Sequence, residues 1–133
     1  MHQTAFTVRA TQVDTFGHLN NAAYLEIFEW ARWEWSAAAG LDLMAYAKER
    51  RIGPAIVHID LSFQREVRMH EPIAVRTWFH EKRGTSRAVV RQQMLREDGE
   101  IAAEMTLTFV LFDLDKRRAL PLSEEFMTLW SST

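Results

Sequence analysis

From Asn21 to Ala39 the chain is an unbroken run of helix formers closed by Gly40, and this run restricts the possible folds more than any other feature. Leu25, Ile27, Phe28, Trp30, Ala31, Trp33 and Trp35 occupy more than one helical stripe. A helix apolar on nearly every side must be enclosed by other elements or by a second subunit. Glu29 and Arg32 lie three apart on one face and can pair, so neither charge need stand alone under cover.

The remaining sequence reads as the wrapping. Phe6, Val8 and Ala10 alternate with Thr7, Arg9 and Thr11, which predicts a half-buried strand over 5–11. A short helix is expected from Asp42 to Arg51, ended by Gly53-Pro54. Beyond it the period becomes two: Val57, Ile59, Leu61 and Phe63 face a core while His58, Asp60, Ser62 and Gln64 face away. Glu71-Pro72 breaks that strand, and Ile73, Val75, Thr77 and Phe79 form the next. After a turn at Lys82 to Thr85, a strand from Ser86 to Arg96 and a two-residue hairpin at Asp98-Gly99 lead to the clearest alternation, Ile101 to Leu111. Ser123 caps a final helix, expected on the surface, with Leu122 placed to staple against Met127. The order predicts an α+β fold, one curved antiparallel sheet around one helix, as a single domain over 1–133.

Composition removes several function classes. The net charge is −2 and the basic residues are scattered among acids, so there is no broad positive field for nucleic acid. No apolar run is long enough for a membrane span, and Met1 to Ala10 lacks an export signal, so membrane insertion is not expected and the expected location is the cytoplasm. Without cysteine there is neither a disulfide nor a thiolate nucleophile, and the five histidines lack zinc-ligand spacing. No metal or cofactor is expected.

The chemistry is concentrated just before the long helix, where Asp14, Gly17, His18, Asn20 and Asn21 fall within eight residues. Asp, Gly and Asn are also the common turn residues, and either Asn suffices as a helix cap, so composition alone leaves a structural role open. Position adds to the functional reading. A helix start offers free N–H groups and a favourable dipole to an oxyanion, and a folded loop permits the Asp14 carboxylate to meet the same carbonyl.

The stretch Asp14-Thr15-Phe16-Gly17-His18-Leu19-Asn20-Asn21-Ala22-Ala23-Tyr24, followed by Phe28-Glu29-Trp30-Ala31-Arg32, closely resembles the signature of hotdog-fold acyl-CoA thioesterases of the 4-hydroxybenzoyl-CoA type. The resemblance implies the hotdog fold, a homodimer or homotetramer with sites at subunit interfaces, and hydrolysis of a fatty or aromatic acyl-CoA. It places the catalytic carboxylate on Asp14 and the oxyanion donor on the backbone N–H of Asn21, and one departure is Gln12, where relatives often carry an acid. Gly17, His18, Asn20 and Tyr24 are candidate substrate-binding residues, His18 as a group that positions the loop or a ligand and Tyr24 as core or pocket wall rather than an acid. Among Arg65, Arg68, Lys82, Arg83 and Arg87, all compatible with a solvated surface, Arg65 and Arg83 are singled out for the CoA phosphates. Whether Asp14 attacks the thioester or activates water stays open. A non-hydrolytic binder of acyl thioesters or acyl-carrier protein, and a hydroxyacyl thioester dehydratase using His18 with Asp14, are the competing readings; a serine hydrolase is excluded because no Gly-x-Ser-x-Gly elbow exists.

Overall fold

A computed structural model of the protein describes residues 1–131. The long helix, α1 (Asn21–Ala38), starts where the side chain of Asn20 accepts a hydrogen bond from the Ala23 amide at 2.9 Å. Its inner face carries Ala23, Tyr24, Ile27, Phe28, Ala31 and Trp35, spaced three and four apart and buried. The opposite side is not enclosed within one chain: Leu25 and Trp30 are each 40% exposed and Trp33 is 42% exposed. The pairing expected between Glu29 and Arg32 gives way to a longer-range contact. Arg32 Nη1 donates to Gln92 Oε1 at 3.0 Å, while Gln92 Nε2 donates to the Phe28 carbonyl and Thr77 Oγ1 at 2.9 and 3.0 Å. Burial draws the Arg32 guanidinium below its usual pKa, and nearby Glu29 opposes that shift.

Around α1 the chain lays down β1 (His2–Thr7), a short helix α2 (Leu43–Glu49), β2 (Ile52–Phe63), β3 (Pro72–Arg83), β4 (Arg87–Leu95), β5 (Ile101–Asp113), β6 (Arg118–Leu120) and a last helix α3 (Glu124–Ser131). The strands form one antiparallel sheet in the order β1-β3-β4-β5-β2, and β6 pairs with the end of β5. Val75, Val90, Met94, Met105, Leu107 and Phe109 meet the buried face of α1 in a single core. This is the helix-and-sheet architecture that the pattern of periods predicts.

Four local expectations change. The first strand stops at Thr7, and Ala10–Gln12 form a 3₁₀ turn with Ala10 exposed. In β2 a bulge at Val57 shifts the register between Ile56, opposite Phe109, and His58, opposite Thr108. Ile56, not Val57, therefore shares the inner face with Ile59, Leu61 and Phe63, but α1 packs over β1 and β3, so no residue of β2 is buried. The β4–β5 hairpin is longer than a two-residue turn: the Gly99 amide donates to the Arg96 carbonyl at 3.0 Å, Gly99 takes φ 85°, and the register slips before Ile101. Finally, α3 is part of the core. Phe126 and Trp130 are 3% and 2% exposed, and Trp130 stacks on Trp35 with ring centroids 5.9 Å apart. Leu122, Phe126 and Trp130 recur every fourth residue, an apolar face that docks on the end of α1.

Candidate active site

The loop entering α1 is organised by Asp14. Its Oδ1 accepts from the amides of Phe16 at 2.9 Å and His18 at 3.2 Å, and its backbone amide donates to the His18 carbonyl at 2.8 Å. Gly17, at φ 78°, reverses the chain within this turn, a conformation that a Cβ would strain. Asp14 Oδ2 has no hydrogen bond among the described residues, and the carboxylate is exposed. Gln12 closes the loop from below: it is buried, its side chain accepts from the Arg9 amide at 2.8 Å, and its carbonyl accepts from the Asn20 amide at 2.9 Å. Gln12, the departure from the family pattern, thus serves as a brace.

Asn20 and Asn21 divide the helix start between them. Asn20 caps the Ala23 amide, whereas the amides of Asn21 and Ala22, at the exposed first turn, have no acceptor among the described residues. Asp14 and this pair of open donors therefore flank one short, braced loop.

A second segment, 64–71, supports that loop. The Leu19 amide donates to the Val67 carbonyl at 2.7 Å, His18 and Arg68 form a β-bridge, and His18 Nε2 lies 3.0 Å from Glu66 Oε2. Arg68 binds the other oxygen of Glu66 at 2.9 Å. Glu66 was not among the sequence-predicted residues, because its role depends on a contact across forty-eight positions of chain, from His18 to Glu66, that no local spacing signals. The His18–Glu66 contact and the bridge to Arg68 tie the loop to the 64–71 segment. Tyr24 is buried, and its ring meets Phe63 edge-on at 4.9 Å. Burial first, then the charges of Glu66, Glu71 and Asp14, push the Tyr24 phenol above its usual pKa, and the ring packs in the hydrophobic core.

The basic residues separate. Arg65 follows Phe63 by two positions, is exposed, and makes no ion pair among the described residues. Arg83 sits at the far end of β3, eleven positions beyond Pro72 and on the order of 30 Å along the strand, and is paired with Glu81 at 2.7 Å. One chain therefore does not bring Arg83 to Asp14. Asp14 does not line any of three recesses formed by the described residues. A pocket of about 170 Å³ lies at the other end of α1, walled by Trp33, Trp35, Ser36, Ile56, Phe109 and Trp130. No group of His, Asp and Glu among the described residues is arranged to hold a metal ion.

A family model described as the thioesterase-like superfamily matches residues 8–129. The long-chain acyl-CoA thioesterase FadM of Escherichia coli (strain K12) is 28% identical over 123 residues, 92% of each chain. Among solved structures, a probable thioesterase of Escherichia coli, YbaW, superposes with a TM-score of 0.84 at 25% identity, covering 97% of this chain and 98% of its own. A hypothetical protein of Staphylococcus aureus solved in complex with CoA superposes with a TM-score of 0.86 at 18% identity, over 96% of this chain and 79% of its own, a likeness of fold.

Proposed function

This chain belongs to the thioesterase-like superfamily, and from that premise we propose that it hydrolyses an acyl-CoA thioester to the free acid and CoA, with the Asp14 carboxylate as base or nucleophile. The observation that carries the reading is the division of labour at Asp14. Oδ1 is anchored by two loop amides, Oδ2 is left for chemistry, and unpaired amides of Asn21 and Ala22 stand at the adjacent helix start. Similarity to FadM along nearly the whole chain supports acyl-CoA as the substrate class.

In the water route, Oδ2 takes a proton from water, the hydroxide adds to the thioester carbon, and the helix-start amides hold the resulting oxyanion. Collapse breaks the C–S bond, and the CoA thiolate regains the proton. In the nucleophilic route Asp14 itself adds to the carbon, CoA leaves from a mixed anhydride, and water then hydrolyses that anhydride. Both routes use the same oxyanion donors. Gly17 shapes the loop, Asn20 aims the amides, and His18 ties the loop to Glu66. Arg65, beside Phe63, is the basic residue of this chain placed to meet a CoA phosphate.

The working unit is a homo-oligomer. Exposed Ile56, Ile59 and Phe63 lie along an unpaired sheet edge, and the open site beside Asp14 is the kind that a second copy completes. Arg83, remote within its own chain, reaches a CoA only if contributed to the partner's site. The soluble interior is the proposed location; no described helix is long and apolar enough to cross a membrane.

The test is thiol release from a panel of acyl-CoAs by wild type and Asp14→Asn. Loss of about a hundredfold to ten-thousandfold in kcat is expected, with the circular dichroism spectrum unchanged. Equal rates for the two proteins would leave a non-hydrolytic binder as the better reading, and enoyl product without free thiol would favour a dehydratase.

A further inference from the structure

Segment 64–71 supports the Asp14 loop but lies between β2 and β3, so it needs anchors of its own. It is tied down at both ends. At the first, the amides of Gln64 and Arg65 both donate to the Ala102 carbonyl of β5, at 2.8 and 3.1 Å. At the second, the His70 amide donates to the Val8 carbonyl at 2.7 Å and the Val8 amide donates to the Glu71 carbonyl at 3.1 Å. The last four residues form a strained turn. The Glu71 amide donates to the Arg68 carbonyl at 3.2 Å, and His70 inside that turn takes φ 66°, a region that glycine enters freely and histidine at a cost.

Glu71 straps this turn with its side chain. Oε1 accepts from the Arg68 amide at 3.3 Å, and Oε2 lies 3.5 Å from Arg96 Nε, just beyond β4. Arg96 is itself fixed. Its amide donates to the Glu100 carbonyl at 2.9 Å, its carbonyl accepts from Gly99 at 3.0 Å, and Nη2 lies 3.6 Å from Asp98 Oδ2. Its Nε is buried and makes no hydrogen bond among the described residues, so the Glu71 carboxylate compensates that side of the guanidinium. The Glu71 and Arg96 side chains are 14% and 27% exposed, against 43% and 68% for the neighbouring pair Glu66 and Arg68. A solvated pair contributes little to geometry, whereas removing one member of a shielded pair leaves an uncompensated charge.

We propose that Glu71 is a positioning residue for the proposed hydrolysis: through Arg96 and the Arg68 amide it holds the turn over 68–71, and with it the bridge to His18, so that Asp14 Oδ2 and the Asn21 and Ala22 amides keep a fixed separation. The proposal rests on the thioesterase reading and adds to it a residue that touches no reacting atom. The connection is short. Arg68 bridges His18, its guanidinium holds Glu66, Glu66 holds the His18 imidazole, and the His18 amide donates to Asp14 Oδ1. A misplacement of about 1 Å in a reacting group can cost on the order of a hundredfold in rate. A tether remote from Asp14 therefore bears on turnover more than on binding.

Thiol release is measured on wild type, Glu71→Ala, Glu71→Gln and Arg96→Met with the acyl-CoA that wild type turns over fastest in the panel. In Glu71→Ala kcat is expected to fall about tenfold or more while KM stays within about twofold. Glu71→Gln, which keeps an oxygen for the Arg68 amide and loses only the charge toward Arg96, is expected to recover part of that loss. Adding Arg96→Met to Glu71→Ala is expected to cost no more than Glu71→Ala alone, because members of one tether are not additive. A second readout needs no turnover: hydrogen exchange of the Leu19 amide, which binds Val67, speeds up about tenfold or more in Glu71→Ala, while amides in the middle of β4 exchange as in wild type. If wild type releases no thiol from any acyl-CoA, the hydrolase reading fails while the exchange of Leu19 still decides whether Glu71 holds the loop. Should Glu71→Ala not fold, Glu71→Gln and Arg96→Met carry both readouts. An unchanged kcat, an unchanged Leu19 exchange, or an exchange that rises equally in β4 would overturn the proposal.

Discussion

The two oxygens of the Asp14 carboxylate are not equivalent, and that asymmetry is what a working carboxylate needs: one oxygen orients the group and the other remains available. The supporting residue is Glu66. A hydrogen bond from Arg68 first, and the charge of His18 second, hold the Glu66 carboxyl below its ordinary value of 4.5. The folded state thus favours ionised Glu66, and its contribution to the loop is complete above that ordinary value and is lost as pH falls through the lowered one. The pair is solvent-exposed, so its effect on global stability is small, and its effect is local. Hydrogen exchange of the Leu19 amide, which binds Val67, should lose protection in wild type as pH drops below 4.5. In Glu66→Gln that protection should already be reduced at neutral pH and stay flat across the same range. A wild-type pH dependence retained by Glu66→Gln would remove Glu66 from this role.

At the scale of elements, the first turn of α1 bears on stability and on the proposed chemistry alike. Asn20 satisfies the Ala23 amide and so leaves the Asn21 and Ala22 amides as the open donors. Asn20→Ala should lower stability by about 1 kcal/mol, read as a shifted denaturant midpoint at constant slope. It should also reduce kcat more than KM, because the misdirected amides matter chiefly to the developing oxyanion. An unchanged kcat would confine Asn20 to capping. Helices and strands were legible in the sequence where one period dominates, as in α1, β3 and β5. The surface placement expected of α3 was wrong for a readable reason: Leu122, Phe126 and Trp130 already share a face, but nothing local states whether the end of α1 stands there to receive them.

For the whole molecule the open side of α1 and the apolar edge strand β2 belong to one question, what covers them. Both are exposed in a single chain, and together they pose an aggregation hazard that pairing with a second copy resolves. Sedimentation at micromolar concentration should show a dimer or tetramer. Ile59→Lys, which places a charge in the inner face of β2 without touching α1's capped start, should yield monomers and should lower thiol release with them. A wild-type monomer with full activity would show that one chain carries a complete site.

The amino-acid sequence by itself determined what is decided within a few residues: the helix and its cap, the strand periods, and the turn that holds Asp14. Only the tertiary structure decided which side of α1 is covered, that a bulge at Val57 brings Ile56 onto the inner face, that α3 packs its Trp130 against Trp35, and that Glu66 is the partner of His18. The physical reason is range. Backbone preference and capping are set by neighbours along the chain, whereas coverage and register follow from how distant elements cross, where a shift of one residue exchanges the two faces of a strand.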